Sequence, residues 1–110
     1  MSFEQITISG NIGSTEIMTS KGGVQYLKVS VACNRGSGEK KVVSWYDVML
    51  FGKLVENIDV LVQYYTKGRI VTVSGRPQNS AYPKKDGTIG LSQSIIASGL
   101  PQLLDSNKVG

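Results

Sequence analysis

Polar and apolar residues alternate through most of this chain. In FEQITISGNI, residues 3–12, Ile6 and Ile8 fall on one side and Thr7 and Ser9 on the other, the period-two pattern of a half-buried strand. Gly13 to Gly23 reads as turn. From Val24 the alternation sharpens. In YLKVSVACNR, Leu27, Val29, Val31 and Cys33 share one face, while Tyr26, Lys28, Ser30 and Ala32 share the other. The glycine-rich basic stretch RGSGEKK, residues 35–41, reads as a loop, and a third strand runs from Val42 to Phe51.

The period then changes. Leu54, Ile58, Leu61, Val62 and Tyr65 recur at three- and four-residue steps, which predicts a helix over 54–66 with one apolar side. Lys67 and Gly68 form its stop signal. Alternation returns in RIVTVSGR, residues 69–76, with Val71 and Val73 inward and Ile70, Thr72 and Ser74 outward, and Pro77 ends or edges that strand. KKDG, residues 84–87, is a hairpin turn, and a fifth strand follows over 89–97. The facing of that strand stays open, because both parities carry apolar residues. Residues 105–110, DSNKVG, have nothing to bury and read as a short flexible tail on a domain spanning 1–104.

Five short strands with one helix between the third and fourth fit an all-β, five-stranded Greek-key barrel of the oligonucleotide/oligosaccharide-binding type, an OB-fold with its helix plugging one end. An open sheet with the helix across one face is the alternative. The barrel is preferred because so small an open sheet leaves its edges exposed.

Composition narrows the chemistry. A chain of 110 residues holds one core, and no apolar run nears the ~18 residues that a membrane span needs. The N-terminal MSFEQITISG carries no basic leader or continuous apolar segment, so a cytoplasmic protein with no membrane partner is expected. One cysteine excludes an internal disulfide, and with no histidine present neither a zinc site nor any other cofactor is expected. Cys33 reads as a small buried hydrophobe. There is no P-loop, no dinucleotide fingerprint and no nucleophile–base pair, so the chain does not read as an enzyme. The net charge of +4 favours an anionic partner. Taken alone, it leaves nucleic acid, an acidic protein and no charged partner all open.

The placement of rings and charges adds to this. In the third strand, Tyr46, Val48 and Leu50 take one face, and Val43, Trp45, Asp47, Met49 and Phe51 the other. A carboxylate is rarely buried without a partner, so Asp47 marks the second face as the wetter one. Rings on a wet face of a basic protein are platforms for nucleobases, or else are covered by a loop or a second subunit, and pattern alone leaves these open. Tyr26 and Lys28 point outward from the second strand, and Arg35, Lys40 and Lys41 occupy the following loop. Arg76, Tyr82, Lys84 and Lys85 surround the last hairpin, and outward Thr72 is counted with them. Basic loops framing aromatic strands suit a phosphate backbone with splayed bases. Thr7 and Ser9, facing away from the first strand's apolar side without nearby charge runs, suggest a joint between two copies.

SWYDVMLFGK, residues 44–53, closely resembles the central strand of the bacterial-type single-stranded DNA-binding protein family. GNIG at 10–13, VSVACNR at 29–35, WYDVMLFGKL at 45–54, YYTKG at 64–68 and VTVSGR at 71–76 are similar to the family's successive blocks, so the resemblance covers about residues 5 to 97. It implies an OB-fold barrel that binds single-stranded DNA without strong sequence preference. It also implies no catalytic activity, and a homodimer or homotetramer working in replication, recombination and repair. Trp45 and Phe51 match two of the family's base-stacking positions, and Tyr82 resembles a third.

The departures are specific. Arg35 stands where a further aromatic residue occurs in some members, and Asp47 where a basic residue commonly sits beside the first ring. The helix reads about one turn longer than usual. The family's acidic, phenylalanine-ended tip is not present in DSNKVG, so no tail-mediated recruitment of partners is expected from this chain. Either the tip belongs to a longer natural chain, or this member, with a reduced phage-encoded version among the options, recruits partners otherwise. The rival to a DNA-coating role is an accessory protein on the same barrel, primosome-like, whose main work is protein interaction.

Overall fold

Two strands that change partner midway close the sheet on itself. In the computed structural model, which describes residues 4–35, 42–87 and 89–104, β1 (Ile6–Thr19) pairs antiparallel with β4 (Ile70–Pro83) over residues 6–11. From residue 11 to 19 it pairs with β2 (Gln25–Arg35) instead. β4 leaves β1 at Gly75 and continues against β5 (Ile89–Ala97), Gly75 standing opposite both Ile6 and Ala97. β3 (Val42–Leu50) lies antiparallel to β2 and parallel to β5, through Asp47 opposite Ser94, Val48 opposite Ile95 and Met49 opposite Ile96. The circuit β1-β2-β3-β5-β4-β1 is the closed five-stranded barrel of an OB-fold, as the alternation predicts, and the β1–β4 pairing excludes the open sheet.

Glycine makes both changes of partner possible. A Cβ on Gly10 would run into the Ala32 carbonyl, and one on Gly75 into the Ile96 carbonyl. Two backbones approach closely there, and any side chain would hold them apart.

Alternation fills the interior. Ile8 and Ile12 from β1, Leu27, Val29 and Val31 from β2, Tyr46, Val48 and Leu50 from β3, and Val71 and Val73 from β4 are all buried. Ile95 and Ala97 join them, which settles the odd-numbered side of β5 as the inward one. Cys33 is half-buried against this cluster. One end is plugged by a 3-10 turn (Gly52–Val55) and the helix α1 (Ile58–Tyr64), whose Leu54, Val55, Ile58, Leu61 and Val62 pack on the core. Tyr65, just past α1, is the largest fully buried side chain, and its hydroxyl donates to the Pro101 carbonyl at 2.7 Å. Burial, and to a lesser extent the neighbouring Tyr64, push its pKa above the ordinary tyrosine value, against a smaller downward pull from Arg69.

Several expectations are corrected. Residues 14–19 are strand where turn was read. The β1–β2 register shifts between Ile12 and Ser14, so inward positions pass from even (Ile8, Ile12) to odd (Thr15, Ile17), and the extra residue, Gly13, destroys the period-two signal. One inward position is polar, Thr15, whose hydroxyl donates to the Tyr65 carbonyl at 2.6 Å.

The helix read over 54–66 is two pieces broken at Glu56–Asn57, a 3-10 turn and a seven-residue α1. The apolar side was legible, but the continuity of backbone hydrogen bonding was not. The chain turns back at Gly68, φ 93°, whose N–H donates to the Ile12 carbonyl.

Of the two readings at Pro77, an end or an edge of the strand, the edge holds and the end does not. β4 runs on to Pro83, paired only with β5 once β1 has been left behind, so a residue without an N–H costs little there. A short β6 (Gln102–Leu103), not foreseen, lies beside β4 opposite Val71 and Thr72. The proposed tail, 105–110, and the loop at 36–41 lie outside the described residues.

Replacing Tyr65 with Phe is expected to cost about 1 kcal/mol of unfolding free energy, the worth of one buried hydrogen bond, without altering the fold. Urea unfolding of wild type and Y65F measures it. The deficit should shrink in alkali. Because the folded pKa is raised, the stability held by neutral Tyr65 is complete below about pH 10, the unfolded value, and is lost as pH rises through the folded one. Y65F has no such group to lose.

Candidate nucleic-acid interface

The outward residues of five strands line up in rows across one face. Glu16, Lys28, Met49, Ile96 and Arg76 are successive cross-strand neighbours, and so are Ser14, Ser30, Asp47, Ser94 and Gln78. Trp45 lies opposite Ala32 in the next row, and Tyr26 lies opposite Met18 at the other border. The pattern follows from barrel closure: with the valines and isoleucines inside, every second residue must face out.

Trp45 is 53% exposed and Phe51 36% exposed. Six residues of extended chain separate them, about 20 Å along the strand, so they would engage different nucleotides. Phe51 keeps the parity of β3 because its own backbone is still extended, at φ −125° and ψ 165°, and the chain turns only at Gly52, with φ 65°. That φ lies where glycine is favoured, so the glycine ends the strand just after the ring. Tyr26 stacks on Phe51 with centroids 4.7 Å apart and planes 28° apart. Two rings of this face are therefore preassembled into a stack. The carbonyl of Trp45 accepts a hydrogen bond from Gln93 Nε2 at 3.2 Å, which ties the backbone beneath this ring to β5.

The charges are sparse and mixed. Lys28 and Met49 lie between the Tyr26–Phe51 stack and the middle of the face, and exposed Arg76 closes the row on β4. Asp47 is on the same face, half-buried, and its Oδ1 accepts a hydrogen bond from Ser30 Oγ at 3.1 Å. Beyond Arg76 the surface dips into an open concavity of about 430 Å3 lined by Glu4, Gln5, Arg76, Ile96 and Ser98 among others.

Other candidates are distributed differently. Lys84 and Lys85 are exposed in the tight turn at the tip of the β4–β5 hairpin, where Gly87 N–H donates to the Lys84 carbonyl at 3.0 Å. Thr72 is not beside the rings. Its hydroxyl pairs with that of Ser9 at 2.6 Å, and Thr7 pairs with Ser74 at 2.7 Å, so Thr72 shares a surface with the two candidate joint residues. Arg35 ends β2 opposite Val42, and Tyr82 lies on β4 opposite Gly90, but their side chains are outside the described part, as are Lys40 and Lys41 altogether.

The sequence reading missed several members of the face. Ser14, Glu16 and Met18 belong to it, in the half of β1 that the bulge puts out of phase. Ser94 and Ile96 belong to it, on a strand whose apolar residues fall on both parities. Pairing partners alone could have found them. Among the described residues, no cluster of histidine, cysteine, aspartate and glutamate could hold a metal ion, and no helix is long and apolar enough to cross a membrane.

Comparison with known proteins bears on the same residues. Residues 3–103 match the model of the single-strand binding protein family. The chain is 31% identical over 112 residues to the mitochondrial single-stranded DNA-binding protein RIM1 of Saccharomyces cerevisiae, covering 99% of this chain and 78% of that protein. It is 27% identical to the single-stranded DNA-binding protein of Neisseria meningitidis, of whose length it spans 64% against 98% of its own. Among solved structures, crystals of yeast Rim1 superpose with a TM-score of 0.69 at 29% identity, covering 97% of this chain and all of that one. The SSB of Plasmodium falciparum in complex with ssDNA gives the same TM-score at 24% identity, over 96% of this chain and 97% of that one, a likeness of fold. With the family model matched over residues 3–103 and a relative at 31% identity over nearly the whole of this chain, the protein belongs to the single-strand binding protein family.

Proposed function

We propose that this protein is a non-catalytic binder of single-stranded DNA that coats and protects the strand during replication, recombination or repair. The observation that carries the reading is the exposure of Trp45 and Phe51 on one outward face of a closed barrel, where the core does not need them. Leaving large apolar surface in water is unfavourable, and a stacked base removes that surface from water. Trp45 takes one base. The Tyr26–Phe51 stack takes another on its open side. Lys28 and Arg76 meet phosphates between and beyond them, with Lys84, Lys85, Arg35, Lys40, Lys41 and Tyr82 adding contacts from the hairpin and the β2–β3 loop. Every base has a π-face, so recognition of this kind is tolerant of sequence.

Asp47 works against phosphate attraction. Its bond from Ser30 keeps the carboxylate on the face, and its charge discourages a phosphate from settling at the centre. In this reading the backbone of the strand passes to either side, and the bases point toward the middle.

A single barrel offers few stacking positions, so tight coverage of long strands calls for more than one copy. Residues 6–10 of β1 pair only with β4 among the described residues, which leaves their other edge with unpaired backbone groups. Pairing of that edge with a second copy is the natural joint. Thr7 and Ser9 lie beside it with their hydroxyls already paired to Ser74 and Thr72, so they would contribute shape and packing more than new hydrogen bonds.

Adding oligo(dT) should quench most of the emission of the sole tryptophan, and W45A should weaken binding by about 1–3 kcal/mol while keeping the fold. Unchanged affinity in folded W45A would overturn the stacking role and favour a protein partner for this face. D47N, which removes the charge but keeps an acceptor for Ser30, should tighten binding by up to about 1 kcal/mol, and D47K by more. Both gains should shrink as salt rises, which a titration series in sodium chloride would read. Sedimentation equilibrium at micromolar concentration is expected to give a dimer or tetramer. A mass of 11.8 kDa throughout the concentration series would exclude the β1 joint.

A further inference from the structure

Gly13 is the extra residue of the β1 bulge, with Ile12 opposite Val31 and Ser14 opposite Ser30. It sits directly beneath Trp45. A Cβ at residue 13 would collide with Cζ3 and Cη2, two atoms of the six-membered part of the indole, and its next neighbour, the Ser30 carbonyl oxygen, would be 3.8 Å away. Gly13 is not among the glycines with positive φ, so its backbone does not demand glycine. The demand comes from the ring alone.

This sets Gly13 apart from Gly10 and Gly75, where an added Cβ would meet backbone and the barrel itself would have to open. Above Gly13 the obstacle is a side chain that is 53% exposed and able to swing away. The fold can absorb the change; the ring position cannot. Trp45 is thus held by its carbonyl bond from Gln93 and seated on a bare stretch of β1 backbone.

We infer that Gly13 is a positioning residue for Trp45: the bulge and the missing side chain form a seat that lays the indole against β1 and fixes the direction of its open face. The inference rests on the stacking role proposed for Trp45. Its geometric part can be tested without DNA. A ring lifted off its seat loses contact on one side, so it keeps its π-system but no longer presents it at a fixed angle, and a base must pay to order it on binding.

The test is a G13A variant read in two ways, alongside W45A and the double variant G13A/W45A. In free G13A, Trp45 emission should shift to the red and acrylamide quenching should become faster, since the ring is more exposed. Oligo(dT) affinity should fall by about threefold or more, a part of the loss that removing the ring causes. In the double variant this loss should vanish, G13A/W45A binding no more weakly than W45A. Should G13A prove unstable, G13A/W45A should recover the stability of W45A, because nothing is then left above residue 13.

Unchanged emission and quenching in free G13A would overturn the seat. So would a G13A defect, in affinity or in stability, that persists undiminished in the W45A background. If W45A itself binds as tightly as wild type, the stacking reading fails separately, and the emission of free G13A still decides whether Gly13 seats the ring.

Discussion

Closure of the sheet through the β1–β4 pairing is the constraint on which the rest of this molecule depends. Five strands of this length cannot each bury one face unless the sheet curls until its ends meet, and curling brings backbones together at Gly10 and Gly75. Once closed, the barrel leaves each strand no choice about its two faces. One parity of each strand, mostly valine, leucine and isoleucine, goes inside, and what alternates with it goes out, Val43, Ile70 and Ile96 included. The exposed rings are a by-product of that parity: Tyr46 is buried because Val48 and Leu50 are, and Trp45 faces water for the same reason. The plug completes the enclosure, with buried Tyr65 joining the end of the barrel to the segment before β6 through Pro101.

The outer surface divides into two regions of different character. Around β2, β3 and the second half of β4 lie the rings, Lys28, Arg76 and Asp47. Around the first halves of β1 and β4 lie paired hydroxyls, Thr7 with Ser74 and Ser9 with Thr72. The division arises where β1 and β4 exchange partners, because a strand that moves from one neighbour to another carries its outward residues onto a new surface. In the proposed role, one surface meets the nucleic acid and the other lies beside the joint between copies. Thr72 illustrates the point. Sequence position places it a few residues from Arg76, and the fold places it with Ser9.

The face differs from a simple basic groove. Among the described residues its positive charges are few, and a carboxylate sits near its centre held by Ser30. Its rings are braced before any ligand arrives, Phe51 by Tyr26 and Trp45 by the strand below it. A ring already held in place loses less freedom when a ligand stacks on it, which in the proposed role lowers the ordering cost of binding.

The sequence by itself determined what depends on local periodicity. Alternation in YLKVSVACNR and SWYDVML separated core from surface correctly, the three-and-four spacing from Leu54 to Tyr65 identified the side chains that plug the barrel, and the KKDG turn and the fifth strand fell where composition indicated. Only the tertiary structure decided what depends on partners. The bulge at Gly13 shifts the phase of β1, so its second half carried no readable alternation. Beyond Pro77, β4 continues only through its pairing with β5, and that partner is not visible in the period of either strand. β6 is two residues long and exists only because β4 offers an edge at Val71 and Thr72. The stacking of Tyr26 on Phe51 and the seat of Trp45 on Gly13 join residues 25 and 32 positions apart, and a period of two or 3.6 holds no information at that range. Those contacts are set by strand register, which the closed barrel fixes and the linear chain does not.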